Sequence, residues 1–187
     1  MYVASVNGSE PIVVIGAGLA GCEAAWQIAK RGGSVALFEM KPHAYSPAHR
    51  SPYLAEIVCS NSFKSESLVN GPGVLKEEMS RLDSLILGTA RETRVPAGGS
   101  LAVDRDAFSQ QVTRALEGLR DVEIVRKEVA TLSREQMTIL ATGPLTSEVL
   151  SREIQRLTGD HRLFFYDAIS PIVTSDSIDF EKGFKAS

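Results

Sequence analysis

The run Ile12-Val13-Val14-Ile15 leads directly into Gly16-Ala17-Gly18-Leu19-Ala20-Gly21. Four consecutive β-branched residues, bounded by Pro11 and Gly16, have the character of a strand buried on both faces, as in a parallel sheet. The glycines follow the pattern G-x-G-x-x-G, and Gly21, Ala24, Ala25 and Ile28 then fall at helical spacing until Gly32 and Gly33 stop the helix. A second strand is expected over Ser34 to Glu39, completing β-α-β within the first 40 residues. In that setting each glycine has a physical task. Gly16 permits the tight turn, Gly18 lets a pyrophosphate approach the backbone, and Gly21 lets the helix pack closely on the strand. Ala17, Leu19 and Ala20 complete the loop, whose helix N-terminus offers N–H groups and a partial positive charge to phosphate. Glu39 lies 23 residues after Gly16, where an acid accepts hydrogen bonds from an adenosine ribose and repels a 2′-phosphate. Loop and acid together predict a dinucleotide site.

The chain of 187 residues is long enough for one domain with a small excursion. Its hydrophobic fraction of 43% and charged fraction of 23% are ordinary for a globular protein, and no window reaches 18 uninterrupted apolar residues, which excludes a membrane span. Met1 to Glu10 carry no basic, apolar leader pattern. Cys22 and Cys59 lack metal-ligand or CxxC spacing, so the expectation is a cytoplasmic protein with no disulfide scaffold and no metal site. A net charge of −3 argues against a broad nucleic-acid-binding face, though a local basic groove is compatible with it.

From Met40 to Val103, five prolines and Gly98-Gly99 punctuate irregular structure. One helix is expected there, with Leu75, Met79, Leu82 and Ile86 on a single face. Order returns at Asp104, read as the N-cap of a helix carrying Phe108, Val112, Ala115, Leu116 and Leu119. Short strands are expected at Val122–Arg126, Glu128–Leu132 and Met137–Ala141, followed by a helix from about Thr146 and strand-like runs after Phe164. The fold class is therefore α/β, a Rossmann-like domain over 1–42 and 104–187 with an insertion over 43–103. Ile139 to Pro144, with Thr142-Gly143 after a strand, is similar to the ATG-type motif of flavoproteins with glutathione-reductase topology. That likeness, the Val103-Asp104-Arg105 helix start and the expected β-meander favour FAD over NAD.

Cys59 stands between Ile57-Val58 and Ser60-Asn61-Ser62. It is either a small core residue or a thiolate able to add to an electrophilic carbon. Cys22, early in the glycine-loop helix, is expected to pack. His43 and His49, without a further ligand nearby, are expected to be solvated or to brace their loop. Lys64, Lys76, Arg81, Arg91 and Arg94, interleaved with Glu66, Glu77, Glu78 and Glu92, have the pattern of a solvated face.

Taken in order, IGAGLAGCEAAWQIAKRG (15–32), FEMKP (38–42), PAH (47–49), AEIVCSNS (55–62), GVLKEEM (73–79), VPAGGSLAVDR (95–105), ATGPLTS (141–147) and YDAISPIV (166–173) resemble the bacterial folate- and FAD-dependent tRNA (uracil-5-)-methyltransferases. Phe63 and Ser100 depart from the leucine and alanine usual there. Members of that family are more than twice as long, so the resemblance is to an N-terminal portion. It implies that FAD binds at Gly16–Gly21 and Glu39, with Asp104, Arg105, Thr142 and Gly143 near the cofactor and Cys59 as candidate catalytic residue. Methylenetetrahydrofolate and NAD(P)H are the implied co-substrates, a T-loop uridine of tRNA the implied acceptor, and no obligate protein partner is implied. Two alternatives stay open: a flavoprotein of the related tRNA wobble-uridine modification class (MnmG-like), and a non-catalytic nucleotide-binding fragment.

Overall fold

A computed structural model describes residues 10–159, 175–179 and 181–182. Strand β1 (Ile12–Ile15) turns through the glycine loop into α1 (Leu19–Lys30), and β2 (Val35–Glu39) returns parallel to β1, with Ile12 opposite Val35 and Ile15 opposite Phe38. The buried face of α1 is Gly21, Cys22 and Ala25. Small side chains there bring the helix axis close to the sheet. Gly32, at φ 79°, reverses the chain after the helix in the left-handed conformation that glycine adopts without strain.

The segment after β2 builds its own structure from β3 (Ser62–Ser65), α2 (Gly71–Arg81), α3 (Leu85–Glu92), β4 (Arg94–Val95) and β5 (Ser100–Val103). The strands form an antiparallel sheet in the order β3-β5-β4. The single helix expected over Leu75 to Ile86 is in fact two. Asp83 adopts φ 54°, and the Ser84 hydroxyl accepts from Leu87 N–H to cap α3. Contacts from α1 select this break: Trp26 Nε1 donates to the Asp83 carbonyl (3.0 Å), and Ser84 Oγ donates to Glu23 (2.7 Å). Leu75 and Leu82 consequently stay more than half exposed while Ile86 is buried.

Helix α4 (Arg105–Glu117) begins where the sequence places it, with the Asp104 carboxylate accepting from Asp106 and Ala107 N–H at 3.0 Å. Phe108, Val112 and Leu116 are fully buried along one stripe. Strands β6 (Val122–Arg126) and β7 (Thr138–Leu140) follow, then α5 (Glu148–Thr158). The main sheet is β6-β2-β1-β7, parallel throughout. The expected meander does not form. Strands β6 and β7 occupy opposite edges, so the chain between them must cross the width of the sheet and cannot pair in series. Glu128–Leu132 is accordingly an irregular crossing, anchored by buried Val129 and by Leu132 N–H donating to Glu153 (3.0 Å). The strand-like runs after Phe164 and the segment 166–173 lie outside the described residues.

Alternation along β1 and β2 separates two apolar layers. Val14, Val35 and Leu37 face Cys22, Ala25, Ile86, Phe108 and Leu116, whereas Val13, Ile15, Ala36 and Phe38 face Val129 and Leu150. Apolar cover on both faces of a parallel sheet explains the unbroken β-branched run. The result is a Rossmann-like α/β fold. No described helix is long and apolar enough to cross a membrane.

Candidate functional site

At the carboxyl ends of β1, β2 and β7 lies a cleft of about 280 Å³. In open parallel sheets this edge, where the connections diverge to either side of the first strand, is where ligands bind. Gly16, Ala17, Gly18, Leu19, Ala20, Glu39, Thr142 and Gly143 all line it.

The three glycines differ in what a side chain would meet. A Cβ on Gly16, which has φ 97°, would lie 2.7 Å from the Ala141 carbonyl oxygen, and one on Gly21 would lie 1.8 Å from the Gly16 carbonyl oxygen. These two close the turn and seat the helix; Gly21 is behind the cleft rather than on its wall. A Cβ on Gly18 would meet nothing within 4 Å. The space beside Gly18 is thus kept open on the cleft wall, at the N-cap of a helix whose first turn has no side-chain cap and no acidic residue. An anion fits that position.

Glu39 is 8% exposed and accepts from two backbone donors, Ala17 N–H at Oε2 (3.1 Å) and Lys41 N–H at Oε1 (3.0 Å). Those bonds fix the carboxylate against the glycine loop. Each oxygen keeps a lone pair for a further donor such as a ribose hydroxyl. Opposite, Thr142 and Thr146 share a hydroxyl–hydroxyl bond of 2.5 Å and Thr146 donates to the Gly143 carbonyl (2.8 Å), which pins the turn after β7.

A further wall of the cleft was not anticipated by the glycine motif. Lys41, Glu56 and His49 line it. The buried Lys41 ammonium bonds the Tyr53 carbonyl (2.6 Å) and Glu56 Oε2 (3.1 Å), and Glu56 Oε1 accepts from Arg50 and Ser51 N–H. Burial works against ionisation of Glu56, but the Arg50 N–H, the Lys41 ammonium and the Ser51 N–H outweigh it and hold its carboxyl below the usual range. Arg126 closes the arrangement from β6 by donating to the Lys41 and Pro52 carbonyls. His49 is half-buried rather than solvated; burial first, then the neighbouring Lys41, lower its pKa against the opposing pull of Glu56 and Glu39. The signals available in the sequence were Lys41 two residues after the strand-ending acid, and the PAH triplet.

Cys59 is exposed, one residue beyond cleft-lining Val58. Its carbonyl accepts from Arg105 Nη2 (2.8 Å). Asp104 and Arg105 do not line the cleft: the first caps α4 and the second ties α4 to the cysteine loop. Cys22 is fully buried, donates to the Ala17 carbonyl (3.3 Å), and has its thiol pushed far up by burial, reinforced by Glu39. Lys76 is buried too, bonding the Ser65 and Pro72 carbonyls, so it does not belong to the solvated face expected for its neighbours. Among the described residues no group of His, Cys, Asp and Glu could hold a metal ion.

The fold and cleft define a Rossmann-like α/β protein. The family model for glucose inhibited division protein A matches residues 11–187, and the chain belongs to that family. It is 58% identical over 179 residues to the methylenetetrahydrofolate–tRNA-(uracil-5-)-methyltransferase TrmFO of Citrifermentans bemidjiense, and 57% identical over 179 residues to that of Geobacter sp. strain M21. Each alignment covers 96% of this chain and 41% of the relative, so the chain spans about two fifths of the length of these relatives. The crystal structure of Aquifex aeolicus GidA superposes with a TM-score of 0.58 at 17% identity, covering 75% of this chain and 26% of that one; it shares the fold.

Proposed function

We propose that the cleft binds FAD and that the chain forms the dinucleotide-binding part of an enzyme methylating C5 of the T-loop uridine in tRNA. Methylenetetrahydrofolate is the one-carbon donor and NAD(P)H the reductant in this reading. The observation that carries it is the contrast at the glycine loop, where Gly16 and Gly21 are closed by backbone and Gly18 alone is open to the cleft. It occurs in a chain 58% identical to a protein named for this reaction. The division into a dinucleotide-binding unit, 1–42 with 104–187, and an insertion, 43–103, is part of the same proposal.

The residues present fit the cofactor. The open face of Gly18 and the uncapped start of α1 suit a pyrophosphate, Glu39 suits the adenosine ribose, and the Thr142–Gly143 turn bounds the opposite wall. When bound, reduced FAD supplies the chemistry of carrying the one-carbon unit from folate to the base. Cys59, exposed beside the cleft-lining Val58, is the candidate catalytic residue of this chain. Arg105 holds the backbone of the cysteine loop through the Cys59 carbonyl, a positioning role.

The test begins with the visible absorption spectrum of the purified protein before and after added FAD. A flavin band surviving desalting is expected, and a protein that stays colourless after reconstitution overturns the cofactor reading. Transfer of labelled one-carbon units to tRNA then examines the reaction in the complete enzyme, where Cys59→Ala should abolish methylation and leave flavin content nearly unchanged. Modification confined to a wobble uridine would replace the reading with the related tRNA-modifying class.

A further inference from the structure

We infer that His49 is a ligand-binding residue of the cleft, a neutral imidazole presenting Nε2–H to an acceptor oxygen of the dinucleotide's sugar–phosphate chain. The inference rests on the proposal that the cleft holds FAD, and it assigns a role to the PAH segment that the glycine motif leaves unexplained.

The geometry begins at Ser46. This residue is buried, and its Oγ accepts from Ala48 N–H (3.3 Å) while lying 2.6 Å from His49 Nδ1. In the arrangement inferred, Ser46 directs its hydroxyl proton at Nδ1, which accepts, and the ring proton resides on Nε2. The short contact tethers the ring at Nδ1, so Nε2 is the nitrogen left for a ligand. The ring itself lines the cleft beside Glu39, Lys41 and Glu56.

The charges around the ring explain why a neutral donor is the suitable one. The buried Lys41 ammonium directs two of its three N–H donors to Glu56 and the Tyr53 carbonyl and so holds the loop. Glu39 accepts from the backbone on both oxygens, and Glu56 accepts from two backbone N–H groups on Oε1 and from Lys41 on Oε2. As carboxylates, Glu39 and Glu56 offer a ligand acceptors and no donor. His49 supplies what they do not, and burial together with Lys41 favours its uncharged form. A phosphoryl, ribose or ribityl oxygen is an acceptor for such an N–H, whereas an aliphatic or cationic ligand gains nothing from it.

Two measurements test this. The first needs no cofactor: long-range proton–nitrogen correlation spectra of the ring at neutral pH should show the Nε2–H tautomer, and a dominant Nδ1–H tautomer would overturn the assignment. The second is the FAD dissociation constant from flavin fluorescence. His49→Phe keeps the ring's bulk and should weaken binding roughly five- to tenfold, the value of one net hydrogen bond. His49→Gln, which returns an N–H near the Nε2 position, should restore most of it. Ser46→Ala, which frees the tautomer without touching the ring, should fall between them and stands in should His49→Phe fail to fold. Equal affinity in wild type, His49→Phe and Ser46→Ala overturns the His49 assignment while leaving the cofactor site intact. Failure of the wild-type protein itself to bind FAD overturns the underlying reading instead.

Discussion

The parallel sheet and the segment from Met40 to Val103 are stabilised in opposite ways. Around β1, α1 and β2, backbone meets backbone directly: a side chain on Gly21 would sit 1.8 Å from the Gly16 carbonyl, and the helix buries only small residues. In the inserted segment, side chains reach across long sequence separations to hold irregular backbone. Lys41 and Glu56 gather residues 50–53, Asn61 Nδ2 donates to the Val103 carbonyl, and Glu66 pairs with Arg94. The first kind of packing leaves no room for adjustment. The second is a set of separable tethers, and the cleft is made where the two meet.

That contrast predicts a ranking of substitutions. Gly21→Val should be the most damaging, because its clash is with backbone that cannot move aside; a loss of about 3 kcal/mol or more, or failure to fold, is expected by thermal or denaturant unfolding. A variant as stable as wild type would break the distinction. Gly18→Val sharpens it within the same loop. Nothing lies near its Cβ, so stability should hold within about 1 kcal/mol, while flavin affinity falls by about a hundredfold because the side chain fills the phosphate position. Normal flavin retention by this variant would mean that the phosphates bind elsewhere.

Lys41→Met probes the tethers. It leaves Glu56 ionised and short of a partner, and should cost about 2 kcal/mol in an unfolding titration. The same tether carries a pH dependence. Because the folded protein holds the Glu56 carboxyl below its usual range, the stabilisation is present above the unfolded-state pKa and is lost as pH falls through the folded value. Acid unfolding curves of Glu56→Gln should therefore be flatter than those of wild type below about pH 4.3, and coincident curves would remove Glu56 from the account. Asp104→Ala should have the smallest effect, about 1 kcal/mol for a lost cap. Its flavin affinity should be unchanged, since Asp104 is not part of the cleft wall; a large loss of flavin would return it to the cofactor site.

The same division governs what could be read from the residues alone. Strand β1, helix α1 and strand β2 follow from local period and glycine placement, and Asp104 announces α4 by its cap, because in each case the deciding interaction lies within a few residues. The break between α2 and α3 was not legible, since Trp26 and Glu23 impose it from 57 and 61 residues away. Glu128–Leu132 has strand-like composition, but the chain there is spent on crossing from β6 to β7 at the opposite end of the sheet order. Gly16 to Ala20, Glu39, Thr142 and Gly143 line one cleft. Lys41, Glu56 and His49 join them only through the path of the loop, and Asp104 and Arg105 are turned to helix capping and loop support.

The two thiols, separated so sharply by their surroundings, also make the protein a convenient object for site-selective chemistry. Cys22 is sealed beneath the glycine loop with its proton held tightly, whereas Cys59 stands in solvent at the rim of the cleft. A maleimide or nitroxide reagent added to the folded chain should therefore attach once, at Cys59, without any cysteine having to be removed first. The label would report, from a native position, whatever enters the cleft beside it.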